Sequence, residues 1–86
     1  MKHAGAAALD RLEPVLTRLR AFPTLKEKAR GTFYLKSRAF LHFHEDPAGL
    51  FADVRASDGA DFDRVRVETE DERAALIARV EVWLNR

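Results

Sequence analysis

Short connections between four strand-like segments are the feature that most restricts how this chain folds. The segments cover residues 31–36, 39–44, 49–55 and 62–67, and the connections between them have two, four and six residues. Parallel strands need a crossover of a dozen or more residues, so connections this short predict antiparallel hairpins. The two longer connections, EDPA and ASDGAD, are rich in the residues that form turns.

A predicted helix lies on each side of these segments. Asp10 and Glu13 have the spacing of a capping box and precede an apolar stripe of helical period. Thr69 and Glu72 repeat this arrangement before a second stripe. The order helix, four antiparallel strands, helix predicts a single α+β domain over residues 10–86, with both helices on one face of the sheet.

The size of the chain limits what else can stabilise it. With 86 residues, 47% of them hydrophobic, the chain has enough for one small core, and without cysteine it has no disulfide. Residues 1–9 contain Gly5 among small side chains and are predicted to be a flexible tail. No apolar stretch approaches the length of a membrane span. The absence of cysteine and the abundance of Arg and Ala predict a cytoplasmic bacterial protein.

Alternation along the strands divides the sheet into two faces. An inner, apolar set is predicted to pack under both helices: Phe33, Leu35, Leu41, Phe43, Leu50, Ala52, Val54, Val65 and Val67. An outer, mixed set is predicted to face away from them: Tyr34, Lys36, Phe40, His42, His44, Phe51, Asp53, Arg55, Phe62, Arg64 and Arg66. In the predicted register His42 lies beside Phe51, and Asp53 forms an ion pair with Arg64 on the next strand.

Aromatic residues on the outer set are the main functional signal. A solvated sheet face seldom carries the four rings of Tyr34, Phe40, Phe51 and Phe62, and exposed apolar patches usually mark contact sites. We therefore expect a non-catalytic interaction domain that forms a homodimer through this face. The alternative is a nucleic-acid-binding module that stacks bases on aromatic rings beside basic side chains, through Tyr34, Phe40, Phe51, Lys36, Arg64 and Arg66. A third option is a small anionic ligand held by Arg64, Arg66 and His42.

The same aromatic rings can instead be covered by other parts of this chain, without any partner. The stems of Lys36, Arg64 and Arg66 can shield the rings, or residues 1–9 can fold back over them.

The distribution of charge along the chain also has two interpretations. Basic residues dominate residues 18–38 and acidic residues dominate residues 45–72, which indicates either a basic patch for an anionic partner or two halves that neutralise each other.

The His-x-His sequence at residues 42–44 raises the question of a metal site. Alternate strand residues point the same way, so His42 and His44 share the outer face and can chelate Zn²⁺ or Cu²⁺ if further ligands arrive. No second His pair exists, and His3 falls in the predicted tail. The sequence therefore predicts no metal site and no cofactor.

Motifs of catalysis are missing from the sequence. There is no cysteine nucleophile, no Gly-x-Ser-x-Gly frame and no phosphate-binding glycine loop. The acidic run DGADFD at residues 58–63 lacks the spacing and the distal Glu of a calcium loop. These absences favour a binding protein over an enzyme.

One segment resembles a known family. Residues 19–46, about a third of the chain, carry a helix end followed by a Glu-Lys-x-x-Gly stretch and a hairpin. The matching residues are Phe22, Pro23, Glu27, Lys28, Gly31, Phe33, Lys36 and Phe40. This pattern resembles the MmcQ/YjbR-like bacterial proteins. The resemblance implies a compact α+β fold that has been compared with DNA-binding folds, and it implies no catalytic residues.

Overall fold

A six-stranded antiparallel sheet and two helices form the fold in the computed structural model, which describes residues 1–86. In chain order the elements are β1 (Lys2–His3), α1 (Ala6–Arg20), β2 (Leu25–Ala29), β3 (Thr32–Leu35), β4 (Arg38–Asp46), β5 (Gly49–Arg55), β6 (Phe62–Arg66) and α2 (Glu70–Leu84). The strands lie in the order β2-β3-β4-β5-β6, and β1 pairs with β4. The predicted α+β class and antiparallel pairing are confirmed. Neither helix is long and apolar enough to cross a membrane.

The four predicted strands correspond to β3 to β6, and the structure adds two more. The sequence LKEKA of β2 consists mostly of Lys, Glu and Ala, which are depleted in strands, so alternation did not reveal it. It pairs only with β3, at an edge of the sheet, where charged residues discourage pairing with another chain. The count of four strands is therefore corrected to six.

The first helix begins earlier than predicted. Gly5, not Asp10, is its N-cap residue, and the predicted capping box of Asp10 and Glu13 lies inside the helix. Ala has the highest helix propensity, and Ala8 and Leu9 are buried, so the run of small residues extends the helix instead of fraying. In contrast, the second capping box forms as predicted. Thr69 Oγ1 accepts from the backbone N–H of Glu72 at 3.1 Å.

Residues 1–9 form structure where a flexible tail was predicted. Lys2 pairs with Glu45, and His3 pairs with His44, along the end of β4 that β3 does not reach. The backbone N–H of Gly5 donates to Oε2 of Glu45 at 2.6 Å. These contacts place β1 on the sheet, and the following residues enter α1.

Both helices and one side of the sheet share a single core of 18 buried residues. Leu12, Leu16 and Leu19 come from α1, and Leu76, Ile77 and Val80 come from α2. Seven residues of the predicted inner set are buried with them: Phe33, Leu41, Phe43, Leu50, Ala52, Val54 and Val67. The other two, Leu35 and Val65, are partly buried against the same core. The predicted inner set is therefore confirmed.

Phe40 lies in this core and not on the outer face. Phe33 pairs with Leu41 and Tyr34 pairs with Ala39, so Phe40 is an extra residue of β4 that has no partner on β3. Such a bulge breaks the two-residue alternation. The Phe40 side chain is 1% exposed, and its ring packs edge-on against Trp83 of α2 at 5.1 Å. The predicted position of Phe40 was wrong for this reason.

Candidate metal site on the outer sheet face

The pairing of β4, β5 and β6 brings polar residues together on the outer face. His42 lies opposite Asp53, and Asp53 lies opposite Arg64. Arg64 donates to both carboxylate oxygens of Asp53, Nε to Oδ1 at 2.7 Å and a terminal nitrogen to Oδ2 at 2.8 Å. The predicted ion pair is therefore confirmed, whereas the predicted pairing of His42 with Phe51 is not.

The turn between β4 and β5 explains that difference in register. The sequence-based prediction treated residues 45–48 as a four-residue connection. In the structure β4 continues to Asp46, which pairs with Gly49, so only Pro47 and Ala48 form the turn. Shortening the turn moves each β4 residue to a different β5 partner, and this puts His44 opposite Phe51.

A third histidine joins His42 and His44. Because His3 pairs with His44 across β1 and β4, its ring stacks on that of His44 with the centroids 4.8 Å apart. The His42 ring lies 4.9 Å from the His44 ring and 5.8 Å from the His3 ring. One ring nitrogen from each of the three histidines lies within 4.8 Å of the others. We refer to His3, His42 and His44 as the histidine cluster.

Several nitrogens of the histidine cluster are shielded from solvent without a hydrogen-bond partner. These are Nδ1 of His42 and both ring nitrogens of His44. Nε2 of His44 does, however, lie 3.2 Å from Oδ2 of Asp53, within ion-pair distance. Burying a polar atom without a partner costs free energy, and buried groups nearly always have one. Coordination of a metal ion is one way to give these nitrogens partners.

The charges around the cluster suit metal binding. The hydrogen bonds from Arg64 lower the pKa of Asp53, so this carboxylate is ionised at neutral pH. Burial lowers the pKa of His42, so its imidazole is neutral at neutral pH. Neutral imidazole is the form that binds a metal ion. A carboxylate beside a ligating histidine is also a common arrangement, because it orients the ring and raises its basicity.

The geometry fits a small transition-metal ion after modest side-chain movement. Imidazole nitrogens bind Zn²⁺, Cu²⁺ and Ni²⁺. With Zn–N bonds of about 2.0–2.1 Å, tetrahedral ligand atoms are about 3.3 Å apart, so nitrogens within 4.8 Å must move closer. His3 lies on an exposed strand of two residues and is the ligand best able to move. Three ligands leave a fourth position for water, which Zn²⁺ acidifies.

Most other residues of the predicted outer set contact side chains of this same chain. Phe62 is half-buried between His42, at 5.3 Å, and the Arg55 guanidinium, at 4.2 Å. The ring of Tyr34 lies 4.4 Å below Nζ of Lys28, and Arg66 forms an ion pair with Glu72 at 3.3 Å.

The face expected to serve as a stacking platform for bases is consequently smaller than predicted. Phe40 is in the core, Lys36 lies in the exposed turn after β3, and Phe51 is half-buried. The large hydrophobic residues with high exposure are Met1 and Val82, and neither belongs to the predicted outer set. The structure therefore does not bring the eleven predicted residues into one site.

Sequence reasoning missed His3 as a member of the site. One signal was present, because the chain has three histidines and His3 is the one outside the His-x-His sequence. Its place depends on the pairing of two residues with a strand more than forty positions away. No local pattern predicts such a pairing, and this is why His3 was assigned to a tail.

Comparisons with protein-family models, with curated proteins and with solved structures give no match to this chain. The resemblance of residues 19–46 to MmcQ/YjbR-like proteins therefore stays a prediction. Any statement about function rests on the side chains described above and on their chemistry.

Proposed function

We propose that this protein binds one divalent transition-metal ion, Zn²⁺ in the first instance, through the histidine cluster. The observation that carries the proposal is the convergence of three imidazole nitrogens within 4.8 Å. The cluster draws its ligands from two strands, and Asp53 stands beside His44 as a supporting carboxylate. Its imidazole-only donor set favours Zn²⁺, Cu²⁺ or Ni²⁺ over Ca²⁺ and Mg²⁺, which prefer oxygen.

The competing explanation is that the three rings simply pack on one another. Stacked and edge-to-face aromatic rings attract each other without any metal, and their contacts here fall in the ordinary range for such pairs. Packing alone gives no partner to Nδ1 of His42 or to Nδ1 of His44, whereas Nε2 of His44 lies 3.2 Å from the Asp53 carboxylate. The two explanations differ in what they predict for metal affinity.

Calorimetric titration of EDTA-treated protein with Zn²⁺ tests the proposal. We expect one ion per chain, with an affinity at least tenfold lower in His3→Gln and in His44→Gln. His3→Gln is the cleaner variant because His3 is exposed, so its replacement leaves the core intact. Lys2→Gln is the matched control, since Lys2 lies on the same strand with an 80% exposed side chain.

Two results would count against the histidine cluster as the binding site. One is the absence of saturable heat in the unmodified protein. The other is a His3→Gln variant that binds Zn²⁺ as tightly as the Lys2→Gln control. The first result would leave packing as the role of the three rings, and the second would remove His3 from the binding site.

Self-association through the outer sheet face is our second proposal. It is supported by the ring of Phe51, which is half-buried instead of fully covered. We expect light scattering to give twice the chain mass, and Phe51→Glu to return it to the mass of one chain, because a charge in an apolar interface is costly. Measuring with Zn²⁺ and with EDTA separates association that needs the metal from association that does not. A single-chain mass at all concentrations contradicts the proposal.

A further inference from the structure

A cleft of about 340 Å³ lies at the end of the sheet opposite the histidine cluster's β1 strand. The turn between β3 and β4 lines one side of it, and Trp83 is the residue that α2 contributes. Its hydrophobic lining residues are Leu35, Ala39, Trp83 and Phe40, of which Phe40 is almost fully buried. Its volume falls in the lower part of the range of small-molecule pockets, which is about 300–1,000 Å³.

All the charged side chains that line the cleft are cations. They are Lys36, Arg38 and Arg55, and none of them forms an ion pair with a carboxylate. Arg38 donates to the carbonyl oxygen of Gly59 at 2.9 Å, and Arg55 donates to that of Ala39. Each guanidinium has further N–H donors that these single carbonyls do not use.

The nearest acidic residues in sequence do not neutralise the cleft. Asp58 and Asp61 belong to the loop that contributes Gly59, but neither lines the cleft. Their carboxylates accept from the backbone N–H groups of Ala60, at 2.9 Å, and Phe62, at 3.3 Å. Apolar and cationic side chains therefore line the cleft together, and no carboxylate lies among them.

We propose that this cleft binds a small aromatic carboxylate. The ring of the ligand packs on Trp83 and Leu35, which are both partly exposed, and its carboxylate lies at the rim, within reach of Lys36 and Arg38. Apolar contact provides most of the affinity and charge-assisted hydrogen bonds fix the orientation, as in most small-molecule sites. The cleft shares no residue with the histidine cluster, so this proposal does not depend on metal binding.

Trp83 provides a direct measurement of binding. It is the single tryptophan of the chain, so its indole N–H gives one signal in a ¹H–¹⁵N spectrum of the 86-residue chain. The probe is 2-naphthoate, and 2-naphthamide is the uncharged ligand of nearly the same shape. We expect saturable shifts of the Trp83 signal with naphthoate, and an affinity at least fivefold lower with naphthamide.

A double variant removes two of the three cations that line the cleft. Lys36 has a left-handed backbone with φ of 58°, which Asn tolerates, so Lys36→Asn with Arg38→Gln keeps the turn. The matched control is Arg18→Gln with Lys26→Gln, which removes the same charge from exposed residues that form no ion pair. We expect at least a tenfold loss of naphthoate affinity in the first variant and less than twofold in the second.

Three results would overturn the assignment of the cleft. The Trp83 signal could shift without saturating, the naphthamide could bind as tightly as the naphthoate, or both double variants could lose the same affinity. The third result would show that net charge, not the rim, attracts the ligand. None of these results bears on Zn²⁺ binding, which is measured separately.

Discussion

Replacing Phe40 by alanine is expected to destabilise the protein by about 3–5 kcal/mol, the usual cost of removing a buried phenylalanine ring. The ring is 1% exposed and packs against Trp83, so its loss leaves a cavity between β4 and α2. A domain of 86 residues has a total free energy of unfolding of about 4–13 kcal/mol. This one substitution therefore removes a large share of the stability.

Urea denaturation of Phe40→Ala and Phe51→Ala measures the difference directly. Phe51 is a matched control, because it is the same residue type on the neighbouring strand but is only half-buried on the outer face. We expect its substitution to cost less than half as much as that of Phe40. Equal costs, or a larger cost at Phe51, would place Phe40 back on the outer face and contradict the bulge in β4.

Local patterns were sufficient to predict the core side of the sheet. Val54 lies in β5 and Val67 directly follows β6, and the burial of both followed from the alternation of the sequence. The same holds for the start of α2, where Thr69 and Glu72 satisfy each other's backbone N–H groups. In these places the residues that carry the sequence pattern lie within a few positions of the element that the pattern predicts.

Non-local pairing accounts for what the sequence did not predict. Phe40 reached the core because one residue was inserted in β4 relative to β3, and no residue type marks that insertion. His42 lies opposite Asp53 because the following turn has two residues instead of four. His3 joins the site because β1 pairs with the free edge of β4. Each difference concerns strand pairing, and the last of them turned a predicted pair of histidines into a cluster of three.

Zinc is expected to raise the melting temperature of the unmodified protein by roughly 10–20 °C at a free concentration 100 times its dissociation constant. A ligand that binds only the folded state at that concentration stabilises it by about 2.7 kcal/mol. Each kcal/mol corresponds to roughly 4–8 °C for a domain of this size. The effect arises because the three ligands are brought together only when β1 pairs with β4.

The dependence of this stabilisation on His3 separates a metal site from weaker surface binding. His42 and His44 lie on one strand and stay two residues apart even in the unfolded chain, so alone they give Zn²⁺ little preference for the folded state. Circular dichroism melts of His3→Gln are therefore expected to show less than a third of the zinc-induced shift, while Lys2→Gln keeps it. Mg²⁺ serves as the metal control, since its preference for oxygen ligands predicts no shift. A full zinc effect in His3→Gln would mean that β1 does not supply a ligand, and the three-histidine site would have to be abandoned.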